Sequence, residues 1–349
     1  MSATETASTV VVTADEERSV VISALVRHGA TPEDAARQAD MLVEADLRGH
    51  SSHGLRRLRV LVGRLAAGLA VSGVEPEWTW RTEAVLEVDG RRGLGPVVLH
   101  GAIDRLLERA AVTGVAVATV RNAGHAGMLA PYVERIAAAG CAGIALTVSE
   151  ALVHPWNGAI AMVGTNPIGI GIPTAAEPLV LDMSTAAVSA GRILDHAARG
   201  EPIPLGWAVD ERGRPTTDAA AAARGAIAPF GGAKGYALGL AFEAIVGVLA
   251  GTAFGGDVHG TLDVEHPPTK GDLIIVFSLD ALGARDRLAG LTAYLEEVRA
   301  SGHDDAAVAI PGDRTRAVRA ARLAEGIPLD PALWAEAKSL AFGEDGHTA

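Results

Sequence analysis

The fold is decided by five consecutive segments: AVLEVD (residues 84–89), GPVVLHGAIDRLLERAA (95–111), VAVATVR (115–121), LAPYVERIAAA (129–139) and AGIALTV (142–148). The first, third and fifth are short apolar runs, which are typical of strands. The second and fourth repeat their apolar residues with the period of a helix. This strand–helix–strand–helix–strand order predicts an α/β architecture.

Upstream of these segments, helices are predicted at residues 16–27 and 32–48. The second helix begins favourably, because Thr31 supplies an N-cap and a proline follows it. A third helix is predicted at 55–69, after an interruption of glycine, histidine and serine. We expect residues 1–14 to form a flexible leader rather than a secretory signal, since no basic segment precedes an apolar run there.

Downstream, residues 158–232 are rich in glycine, proline, threonine and aspartate, and long irregular stretches are usually functional. The other predicted elements are a strand at 179–182, a helix at 235–249, a strand at 272–279, a helix at 284–300, a strand at 306–310 and two closing helices. We assign 91–259 to a cofactor-binding region, and 15–90 with 260–349 to a helical region for substrate binding and dimerisation.

The composition excludes several classes of protein. The 349 residues carry a formal net charge of −12, so nucleic acid and anionic membranes are poor partners. With hydrophobic residues at 49%, global disorder is excluded. The single cysteine, Cys141, forbids a disulfide framework and lies in an apolar stretch that predicts a buried thiol. The apolar segment 236–254 contains Glu243, which predicts a buried helix rather than a membrane span. We expect a cytoplasmic protein.

The glycine-rich motifs do not match the common nucleotide-binding fingerprints. GLGPVV (93–98) lacks the third glycine of a Rossmann loop, and its proline suits the first turn of a helix. GGAKG (231–235) lacks the spacing of a phosphate loop, and no serine or threonine follows Lys234. Glycines and a lysine before a helix nevertheless place amides, a positive dipole end and an ammonium together, which could hold a pyrophosphate.

A first candidate site is SHGLRR (52–57). If a helix begins near Ser52, His53 and Arg57 lie on one face, four residues apart. A proton donor beside a planar cation suits a substrate with a carboxylate next to a reducible carbonyl. The alternative is a capped helix with a solvated basic face.

A second candidate site is NAGHAG (122–127), directly after a predicted strand, where α/β proteins bind ligands. Its histidine, His125, could instead cap the following helix. His50, His53 and His125 together could form a zinc site, but no further ligand residue accompanies them, and we predict no metal. GTNPI (164–168) and LDMST (181–185) are weaker signals, one typical of a turn and the other of a strand that ends in small polar residues.

Taken together, these segments resemble the type-2 malate/L-lactate dehydrogenases, whose relatives include sulfolactate and ureidoglycolate dehydrogenases, diketogulonate reductase and piperideine/pyrroline-2-carboxylate reductases. The resemblance covers nearly the whole chain from about residue 15. The matching motifs, in order, are ADLRGHSSHG (45–54), RNAGHAG (121–127), GTNPI (164–168), LDMS (181–184), GWAVD (206–210), GRPTTD (213–218), GGAKGY (231–236) and PG (311–312).

The resemblance implies a three-layer α/β/α fold around a mixed sheet, distinct from the Rossmann fold. It also implies an NAD or NADP cofactor and a homodimer with the active site in a cleft near the interface. By the matching motifs, the catalytic group is Ser52, His53, Arg57 and His125; we favour His53 for proton transfer, with His125 as the competing candidate. The implied substrate contacts are Arg57, Thr165 and His154. The implied cofactor contacts are His125, Ser149, Asp182, Met183, Ser184, Lys234, Gly235, Pro311, Gly312 and Asp313.

The chain departs from the family pattern at three places. AGHAG (123–127) lacks an aromatic residue and predicts a wider pocket, Gly191 is followed by Arg192 rather than lysine, and VHPWNG (153–158) adds a histidine and a tryptophan.

The predicted reaction is hydride transfer between NAD(P) and a small 2-hydroxy or 2-oxo acid of the malate, lactate, sulfolactate or ureidoglycolate type. The alternative is reduction of a cyclic imine-2-carboxylate. Two distant alternatives are a metal-dependent enzyme and a non-catalytic binding protein.

Overall fold

A computed structural model describes residues 9–303 and 308–343. Its strands are β1 (Val10–Val12), β2 (Glu77–Trp80), β3 (Val85–Gly93), β4 (Val115–Ala123), β5 (Cys141–Thr147), β6 (Ile168–Ile172), β7 (Leu179–Met183), β8 (Ala208–Val209), β9 (Ala226–Ile227), β10 (Gly271–Ser278) and β11 (Ile327–Leu329).

The helices are α1 (Ala14–Arg27), α2 (Pro32–Leu47), α3 (Leu58–Ala66), α4 (Gly95–Thr113), α5 (Ala130–Ala138), α6 (Ala190–Arg199), α7 (Ala219–Arg224), α8 (Ala233–Ala250), α9 (Leu288–Ala300), α10 (Asp313–Glu325) and α11 (Pro331–Phe342).

The centre of the molecule is a seven-stranded mixed sheet in the order β2-β3-β4-β10-β5-β6-β7. Strands β3 and β4 run parallel, and every other neighbouring pair runs antiparallel. Strand β10 comes from late in the chain yet lies between β4 and β5, where Ile274 pairs with both Ala118 and Ala145. This topology differs from a Rossmann sheet, whose strands are mostly parallel.

Helices cover both faces of the sheet, because successive side chains of a strand point to opposite sides. On β10, Ile274 and Val276 pack into the cluster that contains α4 and α5. Leu273 and Ile275 pack into a second cluster with Val246 of α8. The structure therefore confirms the predicted three-layer α/β/α architecture.

Two smaller units flank the sheet. Helices α1, α2, α3 and α11 share one hydrophobic cluster, which is closed by the pairing of β1 with β11. The prediction of a flexible leader is therefore wrong for residues 10–14, which form β1, the Thr13 N-cap and the start of α1. Residues 1–8 lie outside the described residues. Helices α6 and α7 and the β8–β9 pair form the other unit, around Ile193, Ala222 and Ile227.

Several predicted elements have different bounds. The predicted helix at 55–69 is shorter, because α3 starts at Leu58 after two 3-10 turns. In the predicted strand at 306–310, residues 306–307 lie outside the described part of the chain and 308–310 are not a strand. Strand β10 also crosses the predicted regional boundary, because it is part of the same sheet as β4 and β5.

Helix α8 was expected to be buried, and that expectation is wrong. It is long and apolar enough to cross a membrane by length and composition, but it packs on the sheet with under a third of its residues buried. Its buried side consists of three glycines, Val246, Ala250 and Glu243, whose carboxylate accepts hydrogen bonds from Asn166 and the amide of Gly164. Its outer side exposes Leu240, Ile245, Val248 and Leu249.

Candidate active site

The segment that carries Ser52, His53 and Arg57 is a pair of 3-10 turns, Ser51–His53 and Leu55–Arg57, separated by Gly54. The prediction that a single helix face aligns His53 with Arg57 is therefore wrong. The turn is held by Asp46, whose Oδ2 accepts the amide N–H of Leu55 at 2.6 Å. A Cβ on Gly54 would lie 2.0 Å from that oxygen, so packing against Asp46 requires glycine here.

These turns nevertheless bring the catalytic candidates together. Ser52 Oγ lies 3.0 Å from Nδ1 of His53, and Arg57 Nε donates to the carbonyl oxygen of Ser52 at 2.8 Å. The ring of His53 stacks on that of His125, with centroids 5.6 Å apart. Two histidines 72 positions apart in sequence therefore share one site with Arg57.

His125 lies in the loop that follows β4, as the sequence predicts. The amide of Gly127 donates to its Nδ1 at 3.1 Å, so the neutral ring carries its proton on Nε2. The loop packs tightly on the start of α4, where a Cβ on Gly95 would lie 2.2 Å from the carbonyl oxygen of His125. GLGPVV (93–98) is thus a packing motif that supports the histidine loop.

Burial and positive charge keep both imidazoles neutral. Burial lowers the pKa of His53 to about 3, with further lowering by Arg57 and His50. Burial also holds the pKa of His125 well below its ordinary value, and Arg57 and His53 add to the effect. The pKa of Arg57 is lowered by burial, and the nearby Glu150 opposes that shift. The site therefore presents two neutral imidazoles beside one desolvated guanidinium.

Three residues that the sequence analysis missed line or support this site. Arg57, His125, Arg64 and Thr261 border a cavity of about 10 Å³, roughly the volume needed for one water. Glu150 holds the loop between α8 and β10 by accepting hydrogen bonds from the amides of Thr261 and Leu262 at 2.6 and 2.9 Å. Of these three residues, only Arg64 could have been found from the sequence, because it lies two helical turns after Arg57. The crevice beside His125 is narrow, and a pocket wider than that of the family remains a prediction.

A second group of predicted residues meets at the start of β6 and the end of β7. Ser149 Oγ accepts the amide of Thr165 at 3.0 Å, and Ser184 Oγ donates to the carbonyl oxygen of Thr165 at 3.1 Å. Pro311 adjoins β7, because its carbonyl oxygen accepts a hydrogen bond from the amide of Val180 at 3.2 Å. We call Ser149, Thr165 and Ser184 the hydroxyl cluster.

The other predicted cofactor contacts are placed differently. Asp182 Oδ2 accepts the amides of Leu129 and Ala130, both at 2.8 Å, so its carboxylate caps α5. Gly312 is the N-cap of α10, and Asp313 is paired with Arg299 and Arg316. Met183 ends β7 beside Ser184.

The glycine–lysine motif opens α8. Lys234 is exposed in the first turn, after Gly232 at a positive φ of 64°. Gly235 is required by packing, since a Cβ there would lie 1.8 Å from the carbonyl oxygen of Phe230. His154 belongs to neither group, because it is buried in the flanking unit, where its amide bonds to Ile227 at 3.1 Å.

A cleft of about 830 Å³ lies between α2, α4, α5 and α10. It shares no lining residue with the small cavity at His125. Its lining includes Pro178 before β7, Pro131 in α5 and Arg316 in α10, but no residue of the hydroxyl cluster, which lies at the other end of β7. Charged side chains dominate its walls: Arg37, Asp40, Glu44, Arg48, Glu134, Arg135, Glu177, Arg316 and Arg319.

Comparison with known proteins places the chain in one family. A sequence profile of the malate/L-lactate dehydrogenases matches residues 12–338. Malate/(S)-sulfolactate dehydrogenase of Methanothermus fervidus is 37% identical, covering 95% of this chain and 97% of that protein. Delta(1)-pyrroline-2-carboxylate reductase 2 of Burkholderia multivorans is 32% identical, covering 95% and 97%.

The fold agrees with these sequence matches. The crystal structure of a dehydrogenase from Sinorhizobium meliloti superposes with a TM-score of 0.92 at 48% identity, covering 96% of this chain and 99% of that one. The chain therefore belongs to the malate/L-lactate dehydrogenase family, and it is an oxidoreductase that acts on CH–OH or C=N groups.

Proposed function

We propose that the chain transfers a hydride between a nicotinamide cofactor, NAD or NADP, and a small 2-hydroxy or 2-oxo acid. The observation that carries this proposal is the meeting of Arg57 with the neutral, stacked rings of His53 and His125. A guanidinium recognises a carboxylate with two parallel hydrogen bonds, and a neutral imidazole can accept the proton of a hydroxyl group.

Arg57 would bind the substrate carboxylate and would also set the pKa of His53. Its positive charge is one of the causes that depress the pKa of His53. A carboxylate paired with Arg57 would offset that charge, so substrate binding would raise the pKa of His53. His53 then becomes a stronger base for oxidation, and its protonated form, the donor for reduction, becomes more populated, while Ser52 orients its ring through Nδ1.

His125 is the second candidate for proton transfer. Its Nδ1 is occupied by Gly127, so Nε2–H is the atom that faces a ligand as a donor. Such a fixed donor suits the oxygen of a carbonyl group that gains negative charge. We propose His53 for the proton and His125 for this hydrogen bond.

The second group fits a dinucleotide by its chemistry. The hydroxyl cluster offers neutral hydrogen bonds, and Lys234 with the first amides of α8 would hold phosphate groups. When bound, the nicotinamide would supply or take up the hydride.

A second candidate substrate is a cyclic imine-2-carboxylate. The Burkholderia relative is named as a pyrroline-2-carboxylate reductase. Arg57 would bind the carboxylate of either substrate class.

We also propose a cytoplasmic homodimer. Its single cysteine suits a reducing compartment. The exposed apolar side of α8 is the kind of surface that a second copy covers, and Val248 on that side is 71% exposed. Val248→Asp should convert a dimer into a monomer in light scattering, whereas Val112→Asp, at a similarly exposed valine of α4, should not. An unchanged mass for Val248→Asp would contradict this interface.

The function is tested by incubating the protein with NADH or NADPH and a panel of 2-oxo acids and cyclic imine-2-carboxylates. We expect cofactor oxidation with at least one substrate and no loss of activity after chelation. Activity that chelators abolish would favour a metal-dependent enzyme. Cofactor binding by fluorescence without turnover on any substrate would favour a non-catalytic relative.

A further inference from the structure

The loop between α8 and β10 gathers three metal-ligating side chains outside the proposed active site. Ligand atoms of His259, Asp263 and His266 all lie within 4.8 Å of one another. The two imidazole rings stack with centroids 4.6 Å apart, and Nδ1 of His266 lies 3.3 Å from Oδ1 of Asp263. Side chains this close together can share one metal ion.

Hydrogen bonds from three directions hold this loop in place. Arg64 donates to the carbonyl oxygens of Asp263 and His266 at 2.8 and 3.0 Å. Thr269 bonds to the backbone of His259 through its hydroxyl and its amide, at 2.8 and 3.1 Å. Glu150 holds the intervening amides of the loop. The three side chains are therefore presented by a fixed backbone, as a metal site requires.

One carboxylate oxygen of Asp263 can still accept a further bond, as a metal ligand must. Oδ1 accepts the amides of Glu265 and His266 at 2.8 Å, and the guanidinium of Arg64 lies 4.0 Å from it. Among the described residues, Oδ2 accepts only the amide of Gly260, at 3.3 Å. Oδ2 is thus the ligand atom that Asp263 would offer.

We propose that His259, Asp263 and His266 bind one divalent transition-metal ion such as Zn²⁺, Co²⁺ or Ni²⁺, with water at the remaining position. Two imidazoles and a carboxylate suit these ions better than Mg²⁺ or Ca²⁺, which prefer all-oxygen sites. The ion would fix the loop whose Thr261 borders the crevice beside Arg57 and His125. It has no part in the hydride transfer proposed above.

The test uses full-length, untagged protein after chelator treatment. Titration with Co²⁺ should give one equivalent of bound metal with a visible absorption band, and Zn²⁺ should displace it and raise the melting temperature. The double variant His259→Gln/His266→Gln and the variant Asp263→Asn should lose the band, whereas His28→Gln should keep it. No band in the wild type, or an unchanged band in these variants, would overturn the proposal. Neither readout depends on enzyme activity.

A second, independent observation concerns two buried carboxyl groups beneath the catalytic turns. Glu17 of α1 and Asp46 of α2 are 0% and 2% exposed and face each other. Both oxygens of Glu17 are buried without a hydrogen-bond donor in the described part of the chain, apart from what a protonated Asp46 could supply. Two such groups cannot both be ionised, because the repulsion and desolvation would be too large.

The charged groups that face this pair are arginines. Arg322 of α10 donates to the backbone carbonyl of Asp46, and its charge acts on both carboxyl groups. Arg56 also acts on Asp46. The arginines favour one negative charge at the site, and this charge accepts the amide of Leu55 between His53 and Arg57.

We infer that Glu17 and Asp46 share one proton and act as a positioning pair for the Ser52–Arg57 turns. Part of this inference rests on the proposed function, because those turns carry the proposed catalytic group. The proton supplies the hydrogen bond that Glu17 otherwise lacks, and the remaining charge holds the turn through Leu55. Glu17 and Asp46 would act through His53 and Arg57 without touching the substrate.

Infrared difference spectroscopy tests the shared proton without any activity assay. Wild type at neutral pH should show the carbonyl stretch of a protonated carboxylic acid, and Glu17→Gln should lose it. Glu33→Gln, at an exposed site on α2, should leave the band unchanged. A wild type without the band, or a band that survives in Glu17→Gln, would overturn the inference.

Kinetics test the positioning role separately. Glu17→Gln should retain turnover, because its amide can donate to Asp46, whereas Glu17→Leu should lower kcat more than it changes cofactor binding. Equal turnover in Glu17→Leu and wild type would refute the positioning role. If no substrate is turned over by wild type, the proposed function fails while the infrared result still stands.

Discussion

The two halves of the proposed site use different physics. On the substrate side, Arg57, His53 and His125 are packed together with little water, and their pKa values move because charge is costly there. On the cofactor side, the hydroxyl cluster makes neutral hydrogen bonds and Lys234 is exposed. Interactions between desolvated charges are strong, and those at the surface are weak. Substitutions on the substrate side should therefore have the larger effects.

The largest effect is expected for His53→Ala, which removes the proposed proton-transfer group. We expect turnover to fall by about 10²-fold or more, a typical contribution of general acid–base catalysis. Cofactor affinity, measured by NADH fluorescence, should stay close to wild type. If His125→Ala loses more turnover than His53→Ala, the roles of the two histidines are reversed.

Arg57→Lys should have the next largest effect. Lysine keeps the charge but not the two parallel donors, so the Michaelis constant should rise by about 10- to 100-fold, or 1.4–2.8 kcal/mol. Arg59→Lys, at an exposed arginine in α3, is the matched control and should behave as wild type. An unchanged Michaelis constant in Arg57→Lys would remove this residue as the carboxylate anchor.

The pH dependence of the stability of Glu17→Gln tests how strongly charge is buried on the substrate side. Burial, with Asp46 next, raises the pKa of Glu17 from 4.5 to about 10. Between these values Glu17 therefore binds more protons in the folded than in the unfolded state, so the contribution of Glu17 to stability falls as pH rises. The slope is up to about 1.4 kcal/mol per pH unit for one proton, and Glu17→Gln should reduce it. Equal slopes in urea unfolding at pH 6, 7 and 8 would contradict the raised pKa.

On the cofactor side, Lys234→Ala should weaken NAD(P)H binding by only about three- to tenfold, since an exposed charge is screened by salt. The loss should shrink further as ionic strength rises. Lys338→Ala in α11 provides a control lysine outside the site. A loss beyond 100-fold in Lys234→Ala would show that the lysine is desolvated in the complex.

The smallest effect is expected for Ser184→Ala. It removes one hydrogen bond to Thr165 and one from the amide of Ala186, at 3.1 and 2.9 Å. Each is worth about 1 kcal/mol or less at a partly buried site, so a small decrease in melting temperature and a few-fold loss in cofactor affinity should follow. A loss of turnover as large as that of His53→Ala would end the distinction between the two sides.

Local pattern predicted the sheet core well, because β3, α4, β4, α5 and β5 follow strong and uninterrupted periodicity. It missed β2, which is only four residues long, and β6, where glycines alternate with isoleucines. The prediction of a flexible leader also failed, because β1 pairs with β11 more than 300 residues later and Val12 packs into the adjoining helical core. Such long-range pairing leaves no local signal.

The catalytic candidates show the same division. Ser52, His53, Arg57 and His125 could be named from motifs, but the supposed helix face was wrong, because Asp46 and Gly54 divide the segment into two turns. Glu150 and Thr261 could not be found, since 111 positions separate them in sequence. Asp182 was named as a cofactor contact, while its carboxylate caps α5.

By itself, the sequence determined the α/β class, the family motifs and the residue types available for acid–base chemistry, because these depend on periodicity and local spacing. Only the tertiary structure decided which side chains meet, which charges lose water and which side of α8 remains uncovered. The physical reason is that burial and pairing are properties of the packed chain: His53 has an ordinary imidazole until Arg57, His50 and the surrounding protein replace its water.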